Sequence, residues 1–369
     1  MKLLFIRSTR GFSGAEIYTQ RLVSALNKHG EDAQILTNYR NFLIKSKADH
    51  IPCSFIFMPI PEIATKKNFL IAIVLFFYMI IVYIAKIKQL EGCKKFDVII
   101  LESMTEKLFF SPYLKLLGYR VIWIEHGPVF KTNRFNLIKY LYVYKTKWVN
   151  RIITVSDDTK KDLLGGGVFR NKVIAIYIGI NIFKNIIIKK IIGKNRPFIV
   201  GYIGCITHGK GIIEFVHVAT KLVIQKIPVK FILIGDGPEL DRIKDCTNKM
   251  GLSNKFLFTG NIDTVWKYGK TMDIFYFPTH QEGLSLALLE ALAYGKLAIA
   301  RDVGGNRELV IDKKTGFLFK SNEEGERILE GVITGKISTA GIREAAYAHL
   351  RKNFLMEKQV KKFMEVFRG

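Results

Sequence analysis

"HQEGLSLALLEALAYG", residues 280–295, patterns as a helix that opens near Gly283 and is apolar around its whole circumference, so it should be buried. It nevertheless carries a carboxylate, Glu290. The residues three and four positions away, Leu286, Ala287, Ala293 and Tyr294, offer that carboxylate no polar partner. A lone carboxylate in such a place is driven toward its neutral form unless strong donors reach it. Either a backbone group or an arginine supplies them, or a ligand with paired hydroxyls does, as a ribose diol does in many nucleotide sites. Glu282 stands eight positions earlier, about 12 Å back along the helix axis. That separation suits a nucleotide diphosphate. The N–H groups of Gly283, Leu284 and Ser285 at the helix start suit an anionic or hydroxyl-rich group, although Glu282 also fits a plain helix-dipole carboxylate.

Outward from this helix the pattern is strand, loop, helix, repeated. Before it come "FIVGYIG", "VKFILIG", "KFLFTG" and "DIFYFP"; after it come "KLAIA" and "GFLF". Short apolar strands separated by helical stretches or loops predict a parallel, doubly wound sheet. An earlier series has the same rhythm: "KLLFIRS", a loop "TRGFSGAE", a helix ending at Gly30, then "EDAQILT", "DVIIL", "RVIWIEH" and "RIITVS". The basic stretch "KNIIIKKIIGKNRP" interrupts between the two series. The expected division is an N-terminal domain over 1–184, a linker over 185–196, a second domain over 197–349 and a C-terminal helix over 350–369. The N-terminal "MKLLFIRS" reads as a buried strand rather than a secretory leader.

With 369 residues, 49% of them hydrophobic, the chain has ample material for two cores. Its four cysteines, Cys53, Cys93, Cys205 and Cys246, show no metal-binding or redox spacing. They read as structural residues of a reduced, cytosolic compartment. The formal charge is +25, concentrated in the first half: 31 basic against 13 acidic residues over 1–195, and 26 against 19 over 196–369. Such a half suits an anionic membrane surface, a nucleic acid or a phosphorylated substrate. No nucleic-acid-binding motif accompanies the charge, and the basic residues are interleaved with apolar runs, so a nucleic-acid partner is not expected. "FLIAIVLFFYMIIVYIA", residues 69–85, runs seventeen residues without a charge between lysine pairs. A span there would split one parallel sheet across a bilayer, so spanning is rejected. The segment either packs in the core or dips into one leaflet, and its all-round apolarity favours the second.

"EGLSLALLE" has the E-x7-E spacing found in retaining glycosyltransferases, and its surroundings "DIFYFPTHQEG", "EALAYGKLAIARDVGGNRELV" and "KKTGFLF" agree. The chain thus resembles glycosyltransferase family 4, the group 1 glycosyl transferases, over nearly its whole length and most closely over 198–320. The resemblance implies the α/β GT-B fold: two Rossmann-like domains facing a cleft, with the last helix crossing back to the first domain. It also implies site roles. Glu290 would bind ribose hydroxyls, Glu282 hydroxyls of the transferred sugar, and the backbone of Gly283, Leu284, Ser285 and Leu286 the sugar and phosphate. Lys210, in "GCITHGKG", would meet the diphosphate. Gly14, in "GFSGAE", would approach the phosphate, and His126, in "WIEHG", would lie near the reacting sugar. Glu282, Lys210 and His126 are the candidate catalytic residues. The family's pattern departs at Cys205, where an arginine is common, and at Ile178 and Asn181, where Asn and Asp are usual.

The resulting expectation is a metal-independent, retaining hexosyltransferase without a cofactor. It would move a hexose or N-acetylhexosamine from a nucleotide sugar, a UDP-sugar rather than a GDP-sugar, to a lipid-linked or lipopolysaccharide glycan. The aromatic and basic stretch over 131–151 and the apolar run over 69–85 suggest a peripheral position on the inner face of the cytoplasmic membrane. The alternative is a catalytically weak or inactive nucleotide-sugar-binding protein on the same fold, which the lost arginine at Cys205 would favour.

Overall fold

The computed structural model describes residues 1–9, 11–57, 70–71, 73–131, 136–182, 196–262 and 265–369. These form two compact units, Met1–Ile178 with Met356–Gly369, and Gly179–Leu355. The linker expected over 185–196 lies outside the described residues apart from Arg196.

In the first unit β1 (Lys2–Arg7), α1 (Gly14–Lys28), β2 (Asp32–Thr37), α2 (Arg40–Ala48), β3 (Cys53–Phe55), α3 (Phe76–Glu91) and β4 (Val98–Leu101) follow in order. Then come α4 (Met104–Leu116), β5 (Arg120–Glu125), α5 (Asn136–Lys145), β6 (Arg151–Thr154), α6 (Asp157–Gly165) and β7 (Val173–Ala175). The seven strands are parallel in the order β3-β2-β1-β4-β5-β6-β7. The order reverses between β1 and β4, and ligands of open α/β sheets settle at the carboxyl ends of strands beside such a switch point. Leu3 to Ile6, Val98 to Leu101 and Val121 to Ile124 have no exposed surface, because helices cover both faces of the sheet.

The second unit contains β8 (Phe198–Ile203), α7 (Ile212–Ile224), β9 (Val229–Ile234), α8 (Leu240–Lys249), β10 (Phe256–Phe258), α9 (Val265–Gly269) and β11 (Ile274–Phe277). It continues with α10 (Leu286–Ala293), β12 (Leu297–Arg301), α11 (Asn306–Leu309), β13 (Phe317–Phe319), α12 (Asn322–Ile333) and α13 (Ile342–Asn353). Its six parallel strands run β10-β9-β8-β11-β12-β13, with the switch point between β8 and β11. All six strands read from the second series are present. At the switch Gly201 leaves room for Met272: a Cβ added there would sit 1.9 Å from its sulfur, so the methionine side chain would have to move.

The chain then returns to the first unit as α14 (Met356–Arg368). The helical reading of 350–369 is broken at Phe354 and Leu355, between α13 and α14. Gln359 Nε2 donates to the Tyr18 hydroxyl on α1 at 2.9 Å, and Arg120 donates to the Val366 carbonyl at 3.0 Å. Val360, Phe363 and Phe367 are buried beneath the helix.

The apolar run over 69–85 is neither wholly core nor wholly exposed. Met79, Ile80, Tyr83 and Ile87 of α3 are buried. The opposite side shows Val74 at 82%, Phe77 at 73% and Ile81 at 67% exposure, with Tyr78 beside them. Residues 69 and 72 lie outside the described part. No helix among the described residues is long and apolar enough to cross a membrane.

Candidate active site

In the second unit the loops that leave β8, β9, β11 and β12 gather at the carboxyl ends of the strands. A tight turn, His208–Lys210, follows β8, and Gly211 at φ +71° redirects the chain into α7. A Cβ at Gly211 would meet the Pro278 carbonyl oxygen at 2.0 Å, so the turn presses against the loop after β11. The backbone N–H of His280 donates to the Gly209 carbonyl at 3.1 Å, and the His280 side chain pairs with Glu214 at 2.7 Å. This docking brings Lys210 Nζ to within 2.6 Å of Glu282 Oε1. Two residues assigned separately from the sequence, 72 positions apart, therefore form one ion pair.

The helix carrying Glu290 begins at Leu286, three residues later than the sequence pattern predicts. The reason is local. Ser285 is extended and caps the helix, its hydroxyl accepting the Leu288 N–H at 3.2 Å. Gly283 is held outside the helix because its carbonyl accepts the Gly305 N–H at 3.0 Å. A Cβ at Gly304 would stand 1.9 Å from the Glu282 carbonyl oxygen, and one at Gly305 would stand 2.1 Å from that of Gly283. The two glycines thus clamp the bend that presents residues 282–286. The backbone N–H groups of Gly283, Leu284, Ser285 and Leu286 donate to no other described residue. Gly283, Leu284, Ser285 and Leu286 are all buried, so this segment holds four backbone donors away from solvent. Glu290 lies one helical turn further in, 8% exposed, and engaged by another group rather than isolated.

Cys205 is exposed, not a buried structural residue, as is Cys93; all four cysteines are free. The Cys205 carbonyl accepts the Tyr202 hydroxyl at 3.0 Å. Partial desolvation by the surrounding loop pushes the Cys205 thiol pKa up; Lys210 opposes this and Asp236 adds to it. Ile178 is buried.

Gly14 and His126 belong to the first unit. Gly14 is the first residue of α1, behind Ser13. The Glu16 carboxylate accepts both the backbone N–H and the hydroxyl of Ser13, at 2.8 and 2.7 Å. Glu16 also binds the Arg7 guanidinium at 2.6 Å, and burial is overcome so that its pKa falls to about 2. His126 follows β5, with 17% of its side chain exposed. Its Nε2 lies 3.2 Å from Glu102 Oε2, and its ring meets the Tyr18 ring edge-on at 5.4 Å between centroids. Burial lowers the His126 pKa, Arg7 and Lys107 lower it further, and Glu102 opposes them.

Arg7 and Glu102 were not legible as site residues. The only trace was a charge at the carboxyl end of each buried strand, Arg7 as the last residue of "LLFIR" and Glu102 one residue past "VIIL". No group of His, Cys, Asp and Glu residues with metal-binding geometry occurs among the described residues.

Comparison with known proteins agrees with this architecture. Residues 12–183 match the family model Glycosyltransferase Family 4, and residues 184–348 match Glycosyl transferases group 1. The uncharacterized glycosyltransferase MJ1069 of Methanocaldococcus jannaschii is 29% identical over 303 residues, 74% of this chain and 75% of that protein. The UDP-Gal:alpha-D-GlcNAc-diphosphoundecaprenol alpha-1,3-galactosyltransferase of Escherichia coli is 26% identical over 62% of this chain and 64% of its own. Among solved structures, Anabaena Alr3699/HepE in complex with UDP superposes over all of both chains with a TM-score of 0.80 at 18% identity. The GT-B type of fold is shared.

Proposed function

The chain belongs to the family 4, group 1 glycosyltransferases, and from that premise we propose that it transfers a hexose or N-acetylhexosamine, with retention, from a UDP-sugar to a lipid-linked or lipopolysaccharide glycan. The observation that carries this reading is the row of four backbone amides over 283–286 beside the Lys210–Glu282 pair.

Each part has work suited to it. Glu290 takes the ribose hydroxyls. Lys210 exchanges its partner Glu282 for the diphosphate, where negative charge grows as the sugar bond breaks. Glu282, released from that pair, accepts hydroxyls of the transferred sugar. The amides of Gly283 to Leu286 bind sugar and phosphate, preorganised by the Gly304–Gly305 clamp. From the first unit, Gly14 approaches the phosphate and His126 a sugar hydroxyl. Retention then follows from an acceptor hydroxyl attacking on the face the diphosphate leaves, with positioning and charge doing the catalysis and no covalent enzyme intermediate. No metal and no cofactor are assigned a role. UDP as the nucleotide is supported by the UDP complex of the HepE neighbour and by the UDP-sugar named for the E. coli relative.

That relative's acceptor is linked to diphosphoundecaprenol. The apolar exposed side of α3, set in a strongly basic half, suits a peripheral position on the inner leaflet of the cytoplasmic membrane. A thermal-shift panel of UDP-, GDP- and ADP-sugars tests the donor reading. UDP-sugars should raise the midpoint by mass action, and Glu290→Gln should weaken UDP binding about tenfold. Unchanged UDP affinity in that variant would remove the ribose assignment.

A further inference from the structure

Beside the switch point of the first unit lies a buried ionic cluster whose members converge on one oxygen. Glu102, one residue past β4 and 4% exposed, receives the Thr19 hydroxyl on Oε2 at 2.6 Å and Arg7 Nη1 at 3.2 Å. The same Oε2 faces His126 Nε2 at 3.2 Å. Arg7 is permanently charged and is itself held by Glu16. Burial alone would push the Glu102 carboxyl up, but His126, Arg7 and Thr19 hold it below the usual range. Glu102 is therefore ionised and has no proton to give.

The tautomer of His126 follows. At a contact with an ionised oxygen, the facing nitrogen must be the one that carries hydrogen. The groups facing the ring are Arg7 from β1, backed by Glu16; Tyr18 from α1; Lys107 from α4, paired at 2.7 Å with Glu125; and Glu102 itself. Of these, burial and the two cations outweigh the carboxylate, so the ring is neutral near pH 7. A neutral ring with hydrogen on Nε2 has a bare lone pair on Nδ1, and Nδ1 bonds no described residue.

We infer that Glu102 is a positioning residue: it holds His126 as the neutral Nε2–H tautomer and so makes Nδ1 an acceptor for a sugar hydroxyl. The inference rests on the reading of His126 as sugar-facing, but its core is a statement about the protein alone. Glu102 touches no reacting atom. It acts through the imidazole, as a carboxylate does for a ligating or catalytic histidine.

The first test needs no substrate. Full-length protein labelled with 15N-histidine, with His126 assigned by its loss in His126→Gln, should show hydrogen on Nε2 and none on Nδ1 at pH 7. Glu102→Gln keeps an acceptor oxygen but loses the charge. It should retain the tautomer and lower the His126 pKa by about one unit. Glu102→Leu removes the acceptor, and the Nδ1–H form should appear; if that variant does not fold, Glu102→Gln carries the test. An imidazolium or an Nδ1–H ring at pH 7 in the unaltered protein, or a pKa indifferent to Glu102→Gln, overturns the inference.

The second test places the hydroxyl. Asn sets its amide oxygen near the place of Nδ1, whereas Gln reaches toward that of Nε2. His126→Gln should cost about tenfold where a sugar hydroxyl is bound, and His126→Asn clearly less. A loss in UDP-glucose affinity but not UDP affinity identifies the donor sugar. A loss confined to KM for a polyprenyl-diphosphate-linked sugar identifies the acceptor. Equal losses in both variants overturn the role of Nδ1. Failure to bind any nucleotide sugar would defeat the proposed function and leave the 15N spectra to decide this inference.

Discussion

Glu16 shows how a residue beside the candidate site serves stability. Its carboxylate joins Ser13, at the head of α1, to Arg7 at the end of β1. The pKa of about 2 in the folded chain lies below the usual 4.5. A depressed carboxylate contributes stability that is fully present above its unfolded pKa and is lost as the pH falls through the folded one. Glu16→Gln should therefore lower the urea midpoint at about pH 6, and the gap to the unaltered protein should narrow toward about pH 2. A gap independent of pH would mean that Glu16 acts by packing alone. At this scale the sequence marked Glu290 and Glu282 from their own stretch, and Lys210, Gly14 and His126 only through the resemblance to the family. It left two things unread. The Lys210–Glu282 pair depends on the β8 and β11 loops meeting at the switch point. The Arg7–Glu102–His126 cluster depends on three strand ends lying side by side.

Elements were more legible than pairs. Apolar runs such as "DVIIL" and "DIFYF" give the central strands, since a strand covered on both faces has no polar alternation to obscure. The three-residue β3 and β7, at the two edges of their sheet, were missed: "CSF" and "VIA" lack the paired phenylalanines that made the equally short β10 and β13, both "FLF", legible. The start of α10 was misplaced because glycine clamping is a contact across the fold: Gly304 and Gly305 act on residues twenty and more positions away. Gly304→Ala tests the clamp. At φ +51° and 1.9 Å from a backbone carbonyl, the methyl cannot be accommodated without moving the 282–286 bend. The expected cost is about 2 kcal/mol of stability with at least tenfold weaker nucleotide-sugar binding. An unchanged thermal midpoint and affinity would show that the bend tolerates displacement. For α3 the all-round apolarity was read correctly, but its partition was not: half of the helix is core and half is exposed. Phe77→Asp with Ile81→Asp should abolish flotation with anionic liposomes while leaving the far-UV spectrum intact. Equal flotation of the variant would move the membrane contact elsewhere.

The whole molecule consists of two sheets built to one plan, which the sequence presents as two series of strands. The second unit uses one continuous segment, but the first does not: it takes α14 from the far end of the chain. Truncation after Leu355 should therefore damage the unit at the opposite end of the sequence. Hydrogen exchange is expected to rise in α1, where Tyr18 loses Gln359, while β8 to β13 keep their protection. Protection lost equally in both units would show that they unfold together.

The same return of the chain bears on synthesis. A ribosome releases the residues of the first unit early, yet the helix that covers α1 emerges only after all of the second unit has been made. The N-terminal unit is thus the later of the two to be completed. In the interval the apolar surface destined for Val360, Phe363 and Phe367 stands open. A released chain ending before residue 356 would hold every residue of the second unit but an incomplete first one, with that apolar surface exposed.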